Sequence, residues 1–208
     1  MPRRKDGEAT RNKILAAAAE LFARKGYRGT TVADIASACG SNGALINYYY
    51  GEKAELYRYA WAFAHRRAVE KYPVYGRLDE AAPAVKRLHE IIASAIARRS
   101  DPDNRENEIM LNELSVPTGL LADVHEHCFA ELRTALRRTV RDILGAEIPE
   151  REQRLAVLSI FSMCTIPVKQ IQQLEGSPEH VYQSEERARH VYNFAMAGLL
   201  DILTGGVK

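Results

Sequence analysis

Residues 39–53 read CGSNGALINYYYGEK. Eight uncharged residues, ending in three tyrosines, follow a Ser-Asn pair, and a protein core has little use for three adjacent phenol hydroxyls. Asn42 is a good N-cap, so the run from Gly43 to Tyr49 or Tyr50 is expected to be a short helix. Each residue turns about 100° around a helix axis. That spacing puts Ile46 and Tyr50 on one side and Ala44, Leu45, Tyr48 and Tyr49 on the opposite arc, with Asn47 at its margin. Ile46 and Tyr50 are therefore the core residues, and the other face points elsewhere.

The preceding residues suit the same small domain. Thr10 caps an expected helix whose Ile14, Leu15, Ala18, Leu21 and Phe22 share one face, and Gly26 ends it. Thr31 caps a second, very short helix carrying Val32, Ile35 and Ala36, which stops near Cys39 and Gly40. Two short helices joined by a glycine-bearing turn are the sequence form of a helix-turn-helix, although glycine also joins short helices in bundles of other kinds. The outer face of the second helix starts small, at Gly43 and Ala44, and becomes aromatic. This shape suits a major groove, where apolar side chains meet thymine methyls, hydroxyls reach phosphates and an Asn such as Asn47 pairs with adenine. Lys53, opening the next helix, is placed to meet a phosphate as a point charge.

Charge supports an anionic partner for this end. The formal net charge is +2, yet residues 1–53 hold nine Lys/Arg against five Asp/Glu, so the remainder is net acidic. The basic residues Arg3, Arg4 and Lys5 form either a solvated tail or an arm that adds non-specific DNA affinity. With 208 residues, 46% of them hydrophobic and 27% charged, the chain is long enough for a buried core and too mixed to be disordered or fibrous. It has no stretch approaching a membrane span and no apolar leader, which leads us to expect a cytoplasmic protein. Its cysteines, Cys39, Cys128 and Cys164, are widely spaced and form no CxxC, so they read as small buried hydrophobes.

Beyond Lys53 the pattern is helical throughout. Helices are expected from Lys53 toward Tyr72, where Pro73 stops the ladder, and then near 80–99, 105–115, 118–144, 151–174 and 186–203. The fold class is all-α, with a three-helix DNA-binding domain at residues 1–52 and a larger helical bundle at 53–208. The segment 151–174 is apolar on nearly every face, as a helix buried on two sides would be, and Pro167 is expected to kink it. In 186–203, Ala195, Ala197 and Gly198 allow close helix packing.

Catalytic chemistry is not legible. HEHC at 125–128 suggests metal ligands, but His125 and His127 point about 200° apart on a helix and cannot share an ion. His125 and Cys128 would need ligands from elsewhere. No phosphate loop, nucleophile elbow or HExxH is present, so no metal and no cofactor are expected. Arg98 and Arg99, and RRTVR at 137–141, read as solvated helix faces.

Residues 10–57, TRNKILAAAAELFARKGYRGTTVADIASACGSNGALINYYYGEKAELY, resemble the DNA-binding domain of the TetR family of bacterial transcriptional repressors. Residues 110–140, MLNELSVPTGLLADVHEHCFAELRTALRRTV, resemble the regulatory domain of that family's CecR-like subgroup. Leu45, Asn47, Tyr50 and Glu52 depart from residues common in the family, and the first two bear on which operator is read. The interface set is then Thr31, Asn42, Gly43, Ala44, Leu45, Asn47, Tyr48, Tyr49 and Lys53. The resemblance implies double-stranded operator DNA and a homodimer formed by the last two helices. It also implies a small-molecule inducer of unidentified chemistry, with Trp61, His65, Met110, Glu113, Phe129, Phe161 and Cys164 as candidate lining. The alternatives are a regulator of the same fold controlled by a protein partner, and an all-α enzyme or adaptor with a helix-turn-helix-like turn.

Overall fold

The computed structural model describes the backbone of residues 3–124, 129–166 and 183–205, and side chains from Gly7 onward within them. Among the described residues there is no strand. Helices with described bounds are α1 (Arg3–Lys25), α2 (Val32–Cys39), α3 (Gly43–Tyr50), α4 (Lys53–Lys71), α5 (Ala84–Ser100), α6 (Arg105–Ser115), α7 (Ala130–Leu144), α8 (Glu150–Thr165) and α9 (Ser184–Thr204). They form two compact units, Met1–Glu70 with Pro102–Glu126 and Lys71–Asp101 with His127–Lys208.

In the first unit α1 packs on α2 and α6, and α2 packs on α3. Ile14, Ala18 and Phe22 of α1 are fully buried together with Ile35, Ile46, Leu56, Tyr57 and Ile109. Each large apolar side chain here contributes on the order of 2 kcal/mol relative to exposure. The α1–α2 loop is fixed by Thr30, whose buried hydroxyl donates to the carbonyls of Gly26 (2.9 Å) and Leu21 (3.2 Å). A Cβ on Gly29 would lie 2.5 Å from the Lys25 carbonyl oxygen, so the loop needs glycine there. From α6, Asn112 donates its amide to the Ala23 (2.7 Å) and Phe22 (3.2 Å) carbonyls, satisfying the end of α1.

In the second unit α5, α7, α8 and α9 form a helical bundle. Leu88, Ile91, Ile92 and Ile96 of α5 meet Leu136 and Val140 of α7, Ile160 and Cys164 of α8, and Val191, Ala195 and Leu199 of α9. Arg87 is buried on α5 because its guanidinium is fully directed: Nε donates to the Ala82 carbonyl at 2.9 Å and Nη2 to Asp142 at 2.5 Å.

Three sequence expectations need correction. First, α1 begins at Arg3, not after a Thr10 cap; Arg3, Arg4, Lys5, Glu8 and Ala9 are good helix formers, and in extending an existing helix they outweigh Asp6 and Gly7. Second, α8 does not run to 174. It ends at Thr165, and Ile166 is already extended at ψ 121°, as sterics demand of the residue before a proline; Pro167 itself lies outside the described residues. Third, residues 118–144 do not start as a helix. The chain bends at Gly119 and turns at Leu120 and Leu121, residues 122–124 are helical up to the edge of the described residues, and α7 starts at Ala130 after the non-helical Phe129. His125, His127 and Cys128 fall outside the described residues, while Cys39 and Cys164 are buried and unpaired.

Candidate nucleic-acid interface

The helix-turn-helix is built by local hydrogen bonds. Thr31 and Asp34 form a capping box: the Thr31 hydroxyl accepts from the Asp34 N–H at 3.0 Å, and the Asp34 carboxylate accepts from the Thr31 N–H at 2.9 Å. The Thr31 backbone and hydroxyl donors hold the Asp34 carboxyl below its ordinary pKa. Helix α2 stops at Gly40, whose φ of 60° is the left-handed conformation glycine adopts freely, and the Ser41 N–H closes the turn on the Ala36 carbonyl at 2.9 Å. One residue later Asn42 caps α3, its Oδ1 accepting from the Leu45 N–H at 2.8 Å.

Helix α3 then divides its side chains as the 100° spacing requires. Ile46 and Tyr50 are buried; Ala44, Asn47 and Tyr48 are exposed, and Leu45 and Tyr49 are half-buried. The three tyrosines have three different environments. The Tyr50 hydroxyl donates to the Arg11 carbonyl of α1 at 3.1 Å, and burial pushes its pKa up. The Tyr49 ring lies under the Arg11 guanidinium, 4.9 Å from the ring centroid. Tyr48 is 80% exposed. Lys53 sits with its ammonium 4.2 Å from the centre of the Tyr27 ring, which packs against Tyr57. Thr31, Asn42 and Gly43 lie at the two helix starts, where backbone N–H groups point outward.

Sequence reasoning missed Arg11, Lys13 and Ser41. An open groove of about 490 Å³ between α1 and the turn is lined by Lys13, Gly40, Ser41 and Asn42, and the buried Ser41 hydroxyl has no hydrogen-bond partner among the described residues. The Arg11 contacts link residues about forty positions apart, beyond the reach of local periodicity; exposed cations on the polar edge of α1 were the available signal.

The seven candidate ligand residues fall into two groups. In the first unit, Trp61 stacks on His65 with ring centroids 4.8 Å apart, and His65 Nδ1 lies 2.9 Å from Oε1 of the buried Glu106. The Trp61 indole N–H is buried without a partner among the described residues, and Met110 is buried too. Glu113 is engaged internally: it accepts from the Tyr57 hydroxyl at 3.1 Å and from the Thr118 and Gly119 N–H groups at 2.8 and 3.0 Å. In the second unit Phe129 and Phe161 pack edge to face at 5.3 Å. Phe129 and Cys164 line a small cavity of about 30 Å³ that also meets Arg98 and Arg99. These two arginines are half-buried, not solvated as expected, and the Arg99 guanidinium covers the Phe129 ring at 4.8 Å. Burial raises the Cys164 thiol to about 12. Among the described residues no His, Cys, Asp and Glu side chains group as metal ligands, and no helix is long and apolar enough to cross a membrane.

Comparison with known proteins fits this geometry. Residues 14–60 match the family described as bacterial regulatory proteins, tetR family, and residues 84–199, more than half of the chain, match the C-terminal domain of the HTH-type transcriptional dual regulator CecR. The negative transcriptional regulator IcaR of Staphylococcus epidermidis is 28% identical over 134 residues, 61% of this chain; the chain thus spans less than two thirds of IcaR, 64% of its length. CecR of Shigella flexneri is 27% identical over 157 residues, 68% of this chain and 67% of that protein. The structure of AibR, in complex with isovaleryl coenzyme A and operator DNA, shares the fold at a TM-score of 0.66 and 20% identity, over 87% of this chain and 95% of that one. With its capped helix-turn-helix and its CecR-type C-terminal region, the chain belongs to the TetR family of DNA-binding transcriptional regulators, which are not enzymes.

Proposed function

We propose that this regulator is a ligand-responsive repressor that binds a palindromic operator as a homodimer, with residues 1–52 carrying DNA binding and 53–208 carrying ligand response and dimerisation. The single observation that carries the DNA reading is α3 itself, whose buried Ile46 and Tyr50 turn Ala44, Asn47 and Tyr48 outward. Asn47 and Tyr48 read base edges; Ala44 and Leu45 meet thymine methyls; Lys53 and Thr31 meet phosphates.

Dimerisation is supported by apolar surface on the last two helices. On α8, Leu155, Leu158, Ser159 and Ser162 are exposed at helical spacing on one face, and on α9 Phe194, Ala197, Gly198 and Leu200 are exposed. A monomer rarely leaves such stripes in water. A dimer of this kind must set its two α3 helices about 34 Å apart or a multiple of that, to reach successive major grooves.

Ligand response is supported by the second-unit cavity and by Trp61. At about 30 Å³ the cavity holds roughly one water, so an inducer must open it. The unpartnered Trp61 N–H is a donor an inducer could satisfy. A single helix, α4, runs from Lys53 past Trp61 and His65, and is the lever by which ligand binding re-spaces the recognition helices. AibR, solved with both an acyl coenzyme A and operator DNA, provides a precedent of the same fold. A cavity that stayed closed to every small molecule would instead favour control by a protein partner. The test is footprinting on DNA upstream of this chain's own gene and its neighbours, followed by titration of candidate inducers. A protected palindrome released by a small molecule is expected; no protected site under any condition would refute the reading.

A further inference from the structure

Helix α7 carries Arg133, Arg137 and Arg141 one turn apart, along the wall of an open groove of about 780 Å³ that α8 closes on the other side. Like charges at i and i+4 repel and weaken a helix unless carboxylates compensate them. Here Arg137 and Arg141 have no ion-pair partner among the described residues, whereas the neighbouring Arg138 pairs with Glu80 and Arg154 pairs with Glu150. Of the arginines that line the groove, Arg154 is therefore paired with Glu150, which lines it too, while Arg137 and Arg141 have no such carboxylate among the described residues. On the opposite side Val157 and Phe161 of α8, with Ile148 from the preceding turn and Leu158 at the rim, form an apolar stretch beside Gln153 and the Glu150–Arg154 pair. Phe161 packs edge to face on Phe129, and Leu158 at the rim belongs to the proposed dimer face. A volume of this size holds a drug-sized ligand.

We propose that this groove is a second binding site, separate from the small cavity, for an anionic amphiphile: a phosphate or carboxylate head held by Arg137 and Arg141, and an alkyl or acyl body lying along Ile148, Val157 and Phe161. Planar guanidinium groups on successive helical turns suit a head with several acceptor oxygens, because each can make paired N–H···O bonds. Arg137 and Arg141 are exposed, as a solvated helix face would have them, but such a face would not need the apolar stretch beside it. A purely apolar groove would have no use for the arginines. The head-and-tail ligand uses both.

Calorimetry on the full-length protein, with dodecyl phosphate kept below its micelle concentration, tests this. Binding is expected, weakened at least tenfold by Arg137→Gln with Arg141→Gln, and unchanged by Arg138→Gln. Pyrophosphate, which has the head chemistry without the tail, should bind at least tenfold more weakly than dodecyl phosphate. In the unsubstituted protein dodecyl phosphate should also protect Arg137 and Arg141 from phenylglyoxal, a readout that does not depend on how a variant folds. Absence of binding, equal binding of pyrophosphate, no protection, or a folded double variant with undiminished affinity would each overturn the proposal. Sedimentation with phosphatidylglycerol vesicles, in the absence of binding to monomeric dodecyl phosphate, would overturn it as well, since the groove would then serve a membrane surface. None of these outcomes depends on operator binding, so the repressor reading stands or falls separately.

Discussion

Asn42 holds two jobs at one position, and two substitutions separate them. Its Oδ1 accepts from the Leu45 N–H at 2.8 Å, and it stands exposed at the turn that leads into α3. Helix α3 has eight residues, fewer than the roughly 12–15 an isolated helix needs in water, so its start depends on the cap and on the burial of Ile46 and Tyr50. Replacing Asn42 by Ala removes the cap at a cost of about 1 kcal/mol; since the site is exposed, the freed N–H can be hydrated and no burial penalty is added. A loss of about 1 kcal/mol in local stability should speed exchange of the Leu45 amide about fivefold, provided it exchanges by local opening of the helix start. Asn42→Asp keeps an N-cap of equal quality and favours the helix dipole, so Leu45 protection should be preserved or rise. The same carboxylate faces the DNA in the proposed complex, and operator affinity should fall further than in Asn42→Ala. Hydrogen exchange and operator titration on both variants give the answer. If Asn42→Asp binds operator as tightly as the parent, the turn does not approach phosphates; if Asn42→Ala leaves Leu45 exchange unchanged, the cap does not hold the helix start.

Tyr48→Ala should weaken operator binding by roughly 1–3 kcal/mol while leaving random DNA binding nearly intact, and Lys53→Ala should weaken both; the reverse pattern would sink this division of labour. Arg11→Ala removes the guanidinium over Tyr49 but keeps the backbone carbonyl that accepts from Tyr50, so a double-mutant cycle with Tyr49→Leu should show coupling of about 0.5–1 kcal/mol, and strict additivity would mean the contact contributes nothing. Sedimentation should show a dimer at micromolar concentration that Leu158→Asp with Phe194→Asp converts to monomer; a parent protein that is already monomeric refutes the interface. Cys164, raised from 9.0 to about 12 by burial, should resist iodoacetamide at pH 8 until the protein is unfolded. Its folded pKa is the higher one, so its contribution is complete below the unfolded value and is lost as pH rises from about 9 toward 12; Tyr57, also raised by burial and by Glu113, acts in the same direction. Native labelling of Cys164 at pH 8, read by peptide mass spectrometry, would contradict the buried placement.

The parts of this fold that were legible in the sequence are those fixed within four residues. Thr31, Gly40 and Asn42 act through bonds to Asp34, Ala36 and Leu45, and these local bonds set the edges of α2 and α3. The burial of Ile46 and Tyr50 follows from helical spacing alone. What was not legible depends on distant partners. The Glu113 carboxylate is engaged by Tyr57, fifty-six residues away, and no periodicity signals that it is already satisfied. Arg98 and Arg99 read as a polar edge because nothing nearby in sequence announces Phe129. The start of α1 was misplaced for the opposite reason: Thr10 is a capable cap, but good helix formers precede it and the helix simply continues through them.

The three tyrosines bring these scales together. Tyr50 alone would complete the fold of α3, since its ring is buried and its hydroxyl reaches the Arg11 carbonyl. Tyr49 is held at the edge, with its ring under a cation that belongs to α1. Tyr48 contributes little to the interior, because at 80% exposure most of its surface stays in water. An exposed ring beside Asn47, on a helix held by a cap at its start and buried residues behind, is positioned before any partner arrives. Pre-positioning matters because ordering a side chain and a helix on binding would subtract from affinity. In the proposed complex, the same residues that hold α3 are therefore what allow so short a helix to read a groove, and the face that the core does not need is the face that is left to do it.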